Sequence, residues 1–378
     1  MIYLDNAATS FPKPAECLQR ALERYLQLGA SPGRGGYDLA VEAEAAVSAV
    51  RRKLCRFFGA EEDDRICFTY NATDALNLLI QGLLQPGDHV VSSRLEHNSV
   101  LRPLHHLQRQ GRISFDLVPF NPDGFIEPEQ VVAALKPATK LVILTHASNV
   151  LGTVQPVKEI ADACRARGMP LVLDASQSAG AVPIRFKDWG VQGIAFTGHK
   201  SLLGPTGIGG LMLGPELNPE STRFGGTGID SRSPYHTQEY PHRLEAGTIN
   251  FLGVLGLEAS LEYVDQTYAS SYTREMSLLE ELRDGLTALP GVRIYCCDHL
   301  DDHLPVLTCT VAGRDAEDVG AILDGDFGIA ARAGLHCAPF VHRDLGTLEK
   351  GALRFSLGPF TTEAEIDGAV KAMTAIAR

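Results

Sequence analysis

Lys200 and Asp174 are the side chains whose type and setting suggest the most specific chemistry. Lys200 follows Thr197-Gly198-His199 and opens a loop carrying Gly204, Pro205, Gly207 and Gly209. Asp174 ends the apolar run Leu171-Val172-Leu173. A lysine at the end of one buried strand can form a Schiff base with an aldehyde cofactor. An aspartate at the end of another can keep a pyridinium nitrogen protonated. Together these are a protein's share of pyridoxal phosphate (PLP) chemistry. Each has a plainer reading. A lone lysine in a glycine-rich loop is commonly a solvated side chain, and an acid after a strand commonly caps a turn. Their neighbours decide between the two.

Cys337 stands in Ala331-Arg332-Ala333-Gly334-Leu335-His336-Cys337-Ala338-Pro339, a loop by its Gly and Pro. The adjacent His336 and nearby Arg332 would favour the thiolate, and an accessible thiolate can take a sulfur atom from a substrate thiol. The alternative is an inert buried cysteine. Arg354 lies on the apolar stretch 352–357. It needs a carboxylate partner or a route to solvent, so it either grips an amino-acid carboxylate or makes a structural salt bridge. Arg34, inside Gly33-Arg34-Gly35-Gly36, is either a surface charge or a second group able to approach a ligand carboxylate.

Further candidates follow from where turns fall. The β-rich run 66–70 passes through Asn71-Ala72-Thr73 into an apolar helix. The free N–H groups of that turn and the helix dipole make a phosphate seat, with Thr73 adding a hydroxyl; simple N-capping by Asn71 or Thr73 is the alternative. With PLP bound, Thr73, the Ala72 N–H, Thr197 and His199 would hold the phosphate. Gln177 and Asn149 would reach the phenolic oxygen, and His97 would stack on the ring. A charged His199 would also lower the pKa of Lys200.

The elements that must position these groups alternate. Helical spacing runs over 15–28, 38–58, 76–84, 100–110, 127–135 and 157–167. Strand patterns fall at 66–70, 89–91, 113–118, 140–145, 171–174, 193–197 and, rich in glycine, 207–213. This βαβ order predicts an α/β fold with an open, mainly parallel sheet. Ligands gather at the carboxyl ends of such strands, which brings Thr73, His97, Asn149, Asp174 and Lys200 together. Residues 217–248 read as loop and 251–288 as a long helix. The remainder alternates strands and helices as a smaller α+β unit.

The 378 residues predict two domains, 15–255 and 256–378. A net charge of −12 disfavours a nucleic-acid partner. No apolar run is long enough to span a membrane, and no signal peptide is evident, so a cytoplasmic location is expected. The eight cysteines show no spacing suited to a metal site.

Taken in order, these residues resemble the class V aminotransferase family, and within it the cysteine desulfurases and selenocysteine lyases. The resemblance runs nearly end to end. It includes Tyr3-Leu-Asp-Asn-Ala-Ala8, Glu96-His97, Ser148-Asn149, Asp174 with Gln177, Thr197-Gly-His-Lys200, Glu245-Ala-Gly-Thr248 and the Cys337 loop. It implies PLP fold type I: a seven-stranded-type sheet in a large domain, a small C-terminal domain with segment 1–14 packed against it, and a homodimer in which Thr248 reaches the neighbouring cofactor's phosphate. It implies that Lys200 is the Schiff-base lysine, Cys337 the persulfide-forming cysteine and Arg354 the carboxylate anchor. L-cysteine is the implied substrate and a sulfur-acceptor protein a possible partner. Selenocysteine lyase or a C–S lyase is the alternative. The short loop resembles the second group of desulfurases, in which the cysteine is less mobile. Leu335 stands where that group often has histidine, and Asn71-Ala72-Thr73 stands for the more usual Gly-Thr-Thr.

Overall fold

The computed structural model describes residues 1–378 except 34, 62–64, 230 and 297. In chain order the elements are β1 (Ile2–Tyr3), α1 (Ala15–Leu28), α2 (Asp38–Phe57), β2 (Arg65–Thr69), α3 (Ala72–Leu83), β3 (His89–Ser93), α4 (Asn98–Arg109), β4 (Ser114–Val118), α5 (Pro128–Ala133), β5 (Thr139–Thr145), α6 (Val157–Arg165), β6 (Leu171–Asp174), α7 (Phe186–Trp189), β7 (Gly193–Thr197), β8 (Gly209–Leu213) and the long α8 (Phe251–Thr287). Then come β9 (Val292–Tyr295), β10 (Val306–Val311), α9 (Ala316–Phe327), β11 (Ile329–Ala330), β12 (Arg332–Gly334), α10 (Pro339–Leu345), β13 (Ala352–Ser356) and α11 (Glu363–Ile376).

Seven strands form one sheet in the order β2-β8-β7-β6-β5-β3-β4. The pairs from β4 through β3, β5 and β6 to β7 are parallel, while β8 runs antiparallel to both β7 and β2. Both faces are covered, as continuous apolar strands require. Ile194 and Phe196 of β7 point into one core with α2, α6 and the first half of α8. The intervening Ala195 points into another with α3 and α4. Alternation along a strand thus feeds two helical layers. Gly210 on β8 is required by this packing, because a Cβ there would lie 2.4 Å from the Phe196 ring.

A smaller antiparallel sheet, β12-β13-β10-β9, shares a third core with α9, α11 and the second half of α8. Helix α8 therefore contributes Phe251, Val254 and Leu261 to one core and Leu278, Leu282 and Leu286 to the other. The first residues of the chain add to this smaller body: β1 pairs in parallel with β11, and Leu4 is fully buried in the same core.

Candidate active site

A cleft of about 870 Å³ opens where the carboxyl ends of β5, β6 and β7 meet the N-termini of α3 and α4, roofed by β12, β13 and the loop after β12. Lys200, Asp174, His97, Asn149, Gln177, Thr197, His199, Ala72 and Thr73 line it from the large sheet, and Arg332, Cys337 and Arg354 from the small one. Thr248 lies elsewhere, exposed in a separate hollow with Arg51, Tyr70 and Glu245. Arg34 lies outside the described residues.

One end of the cleft gathers hydrogen-bond donors able to hold an anion. Asn71 caps α3, its side-chain oxygen accepting from the Asp74 N–H at 2.9 Å. This leaves the N–H groups of Ala72 and Thr73, in the first helical turn, with no intrahelical acceptor. The Thr197 hydroxyl, at the end of β7, is buried with no hydrogen-bond partner among the described residues. His97 caps α4, and its Nδ1 accepts from the Ser99 N–H at 3.0 Å. With Nδ1 an acceptor, the Ser99 hydroxyl donates to it at 2.7 Å and the Thr73 hydroxyl donates to Ser99 at 2.7 Å. Ser99 is a site residue that sequence reasoning missed. Its position two residues after His97, at the start of a helix, was the available signal.

Asp174 is buried at the end of β6, with Oδ1 accepting from the Ser176 N–H at 2.9 Å. No hydrogen bond reaches its Oδ2 from the described residues. Lys200 is held down to about 8, chiefly by burial, with the nearby cations Arg354 and Arg332 adding to the effect and Asp174 and Cys337 opposing it. The expected contribution of a charged His199 is not found. Burial, with Lys200 and Lys13 nearby, lowers His199 itself to about 4, so it is neutral. Its backbone carbonyl instead accepts from Ser10 and Lys13 of the N-terminal segment. Burial likewise lowers His97 to about 4, so His97 meets the cleft as a neutral ring.

The amide of Gln177 donates to the Ala7 carbonyl at 3.0 Å, and Asn149 donates to the His336 carbonyl at 2.7 Å. Asn149 thus ties the end of the large sheet to the cysteine loop. The Asn98 N–H adds a second tie, to the Cys337 carbonyl at 2.7 Å. His336 does not supply a charge beside the thiol as expected. It is buried and neutral, and its ring nitrogens bond to His342 and to the Arg332 carbonyl.

Arg354 is 2% exposed. Its Nη2 pairs with Asp5 at 2.8 Å and its Nη1 donates to the Asn149 carbonyl at 2.8 Å, while Nε is buried with no partner among the described residues. The structural salt bridge is therefore present, with the Nε nitrogen still unused among the described residues. Asp5 was quoted above as part of a motif but given no task; the pairing spans nearly the whole chain and leaves no local pattern. Arg332 pairs with Arg354 across β12 and β13.

The sheet order and the lysine–aspartate pair at its carboxyl edge define PLP fold type I. The chain belongs to the class-V aminotransferase family (Aminotransferase class-V), whose profile matches residues 2–368, and that membership implies PLP. It is 33% identical over 97% of its length to a probable cysteine desulfurase of Methanothermobacter thermautotrophicus, covering 92% of that protein. It is 32% identical over its full length to a cysteine desulfurase of Pectobacterium atrosepticum, covering 93% of it. Among solved structures, the apo cysteine desulfurase of Thermococcus onnurineus NA1 superposes with a TM-score of 0.92 at 32% identity, covering all of this chain and 94% of that one.

The residues present fit the implied group. The orphaned Thr197 hydroxyl and the free N–H groups of α3 suit its phosphate. Asp174 suits its ring nitrogen, and a lysine whose pKa burial lowers to about 8 suits its aldehyde.

Proposed function

We propose that this chain is a PLP-dependent cysteine desulfurase that converts L-cysteine to L-alanine and leaves the sulfur on Cys337 as a persulfide. The observation that carries the reading is that Cys337 and Lys200 line one cleft, together with Asp174 and two guanidinium groups. A plain aminotransferase would give Cys337 no task.

Bound PLP supplies the electron sink for charge released at the substrate's α-carbon. Asp174 holds the ring nitrogen, and Thr73, Thr197 and the Ala72 N–H hold the phosphate. His97 covers the ring. The unused Arg354 Nε and the Arg332 guanidinium receive the substrate carboxylate, which fixes the Cα–H bond toward Lys200. Lys200, its pKa lowered by burial, moves the proton at that carbon. The Cys337 thiolate forms an S–S bond with the substrate sulfur as the substrate's Cβ–S bond breaks. The carbon skeleton takes up protons and leaves as alanine.

We also propose a cytoplasmic homodimer in which Thr248 serves the neighbouring site, and transfer of the persulfide sulfur to an acceptor thiol. The exposure of Thr248 outside its own cleft supports the first. No helix among the described residues is long and apolar enough to cross a membrane.

The test is a product assay with L-cysteine, comparing wild type with Cys337→Ala. Alanine formation should fall by about a hundredfold or more in the variant, and persulfide should map to Cys337 in the wild type. Pyruvate in place of alanine, unchanged by the substitution, would establish a C–S lyase. Turnover of selenocysteine alone would establish a selenocysteine lyase.

A further inference from the structure

Behind the Cys337 loop lies a buried row of side chains that the proposed chemistry does not use. His336 is 4% exposed, Thr347 is 6% exposed and His342, on α10, is fully buried. His336 Nε2 lies 3.1 Å from the Arg332 carbonyl, and its Nδ1 lies 3.1 Å from His342 Nε2. His342 Nδ1 lies 2.8 Å from the Thr347 hydroxyl.

The protons in this row can be assigned. Burial lowers the pKa of both rings, so both are neutral. A carbonyl only accepts, so His336 carries its proton on Nε2 and presents Nδ1 as an acceptor. His342 must then donate from Nε2, which makes its own Nδ1 an acceptor, and Thr347 donates to it. The row ends on a carbonyl that takes up no proton. It is a chain of orientation, not a proton wire.

The backbone beside it supplies an independent observation. His336 and Cys337 are consecutive non-glycine residues in the left-handed region, with φ of 50° and 58°. Such conformations persist only where the surroundings over-determine them. On the large-sheet side, Asn149 and the Asn98 N–H hold the two carbonyls of the turn. On the opposite side the tie is the His336 ring, and what holds that ring is His342.

We propose that His342, oriented by Thr347, is a positioning residue for Cys337. It fixes the tautomer and plane of His336. That ring in turn holds the Arg332 carbonyl and the left-handed turn that presents the thiol to the cleft. The proposal concerns the cysteine loop itself and rests on the desulfurase reading only where alanine formation is measured.

The test compares His342→Gln, which keeps a donor near the Nε2 position, with His342→Leu, which removes it, both as cofactor-loaded enzyme. Hydrogen exchange of the segment 335–341 should rise by about tenfold or more in H342L, stay near wild type in H342Q, and leave strand 139–145 unchanged in both. kcat for alanine formation should fall by about ten- to a hundredfold in H342L, with KM for L-cysteine nearly unaltered, and Gln should restore it. Should H342L fail to fold, Thr347→Val, which leaves the ring in place, should show the same changes in weaker form. Exchange and kcat near wild type in H342L, or in T347V where H342L does not fold, would overturn the proposal. So would a Gln variant as impaired as Leu, since that would make the ring's volume, not its donor, the cause. If the wild type makes no alanine, the desulfurase reading fails on its own. The exchange rates and the alkylation rate of Cys337 by iodoacetamide, faster in H342L and normal in H342Q, then decide the positioning role; unchanged rates in H342L would refute it.

Discussion

The buried Thr197 hydroxyl has opposite consequences in the empty and loaded protein. A buried hydroxyl without a partner costs stability, and the cost is relieved when an acceptor arrives. Thr197→Val should therefore leave the cofactor-free protein as stable as wild type or more so, while weakening PLP binding by about tenfold. Thermal unfolding without cofactor and a cofactor titration would read the two effects; an unaltered affinity would remove Thr197 from the phosphate seat. Lys200 gives a second prediction. Its folded pKa of about 8 lies below the ordinary 10.5, so between those values the unfolded chain binds more protons and stability rises with pH. Below about 8 the full cost of burying the cation remains. Relative to Lys200→Met, cofactor-free wild type should thus gain stability from pH 8 to 10. A flat difference in unfolding free energy across that range would mean that the lysine is not desolvated.

At the scale of elements, the segment after 217 carries no helix or strand among its described residues until α8, yet its end is anchored. Glu245 accepts from both terminal nitrogens of Arg51 on α2, at 2.6 and 2.8 Å, and from the Phe68 N–H of β2 at 2.5 Å. Removing one partner of a largely buried pair strands the other. Glu245→Ala should cost about 3 kcal/mol in chemical denaturation and loosen the neighbouring Gly247-Thr248 turn; a cost near that of an exposed pair would show that water already screens it.

Much of this scale was legible in the sequence. The apolar periods gave the strands of the large sheet and the longer helices, and the rule of strand ends then gathered Asp174, Asn149 and Lys200. Helix α7, of four residues, is too short to show a period, and β1, β11 and β12 are shorter still, while α10 starts at Pro339, in a stretch whose Gly and Pro read as loop. Two features of the site were out of reach for a different reason. The Asp5–Arg354 pair and the His336–His342 contact join common residue types through tertiary packing, which carries no spacing rule. His336 and His199 were misjudged because charge depends on burial, and burial of a loop side chain is decided by what folds over it.

At the scale of the whole molecule, the placement of Thr248 leads to a test by mixing subunits. In a heterodimer of Lys200→Ala and Thr248→Ala chains, one site collects both lesions if Thr248 acts across the interface, and the other is intact. Mixing the two impaired homodimers should then restore about half the wild-type activity per heterodimer. Activity no better than the average of the parents would place Thr248 in its own subunit's site or outside both.

The Asp5–Arg354 pair also bears on how the protein comes into being. Asp5, Ala7 and Ala8 leave the ribosome before Arg332, Cys337 and Arg354; Ala7 and Ala8 line the cleft with those three, and Asp5 pairs with Arg354. Lys200 and Asp174 emerge between them. The large sheet can form during synthesis, since domains generally fold as the chain appears. The cleft cannot close until β13 is released, because only then does the N-terminal segment find both its strand partner β11 and its arginine. A nascent chain therefore presents Lys200 well before Cys337, and the cleft is complete only when Arg354 follows them both.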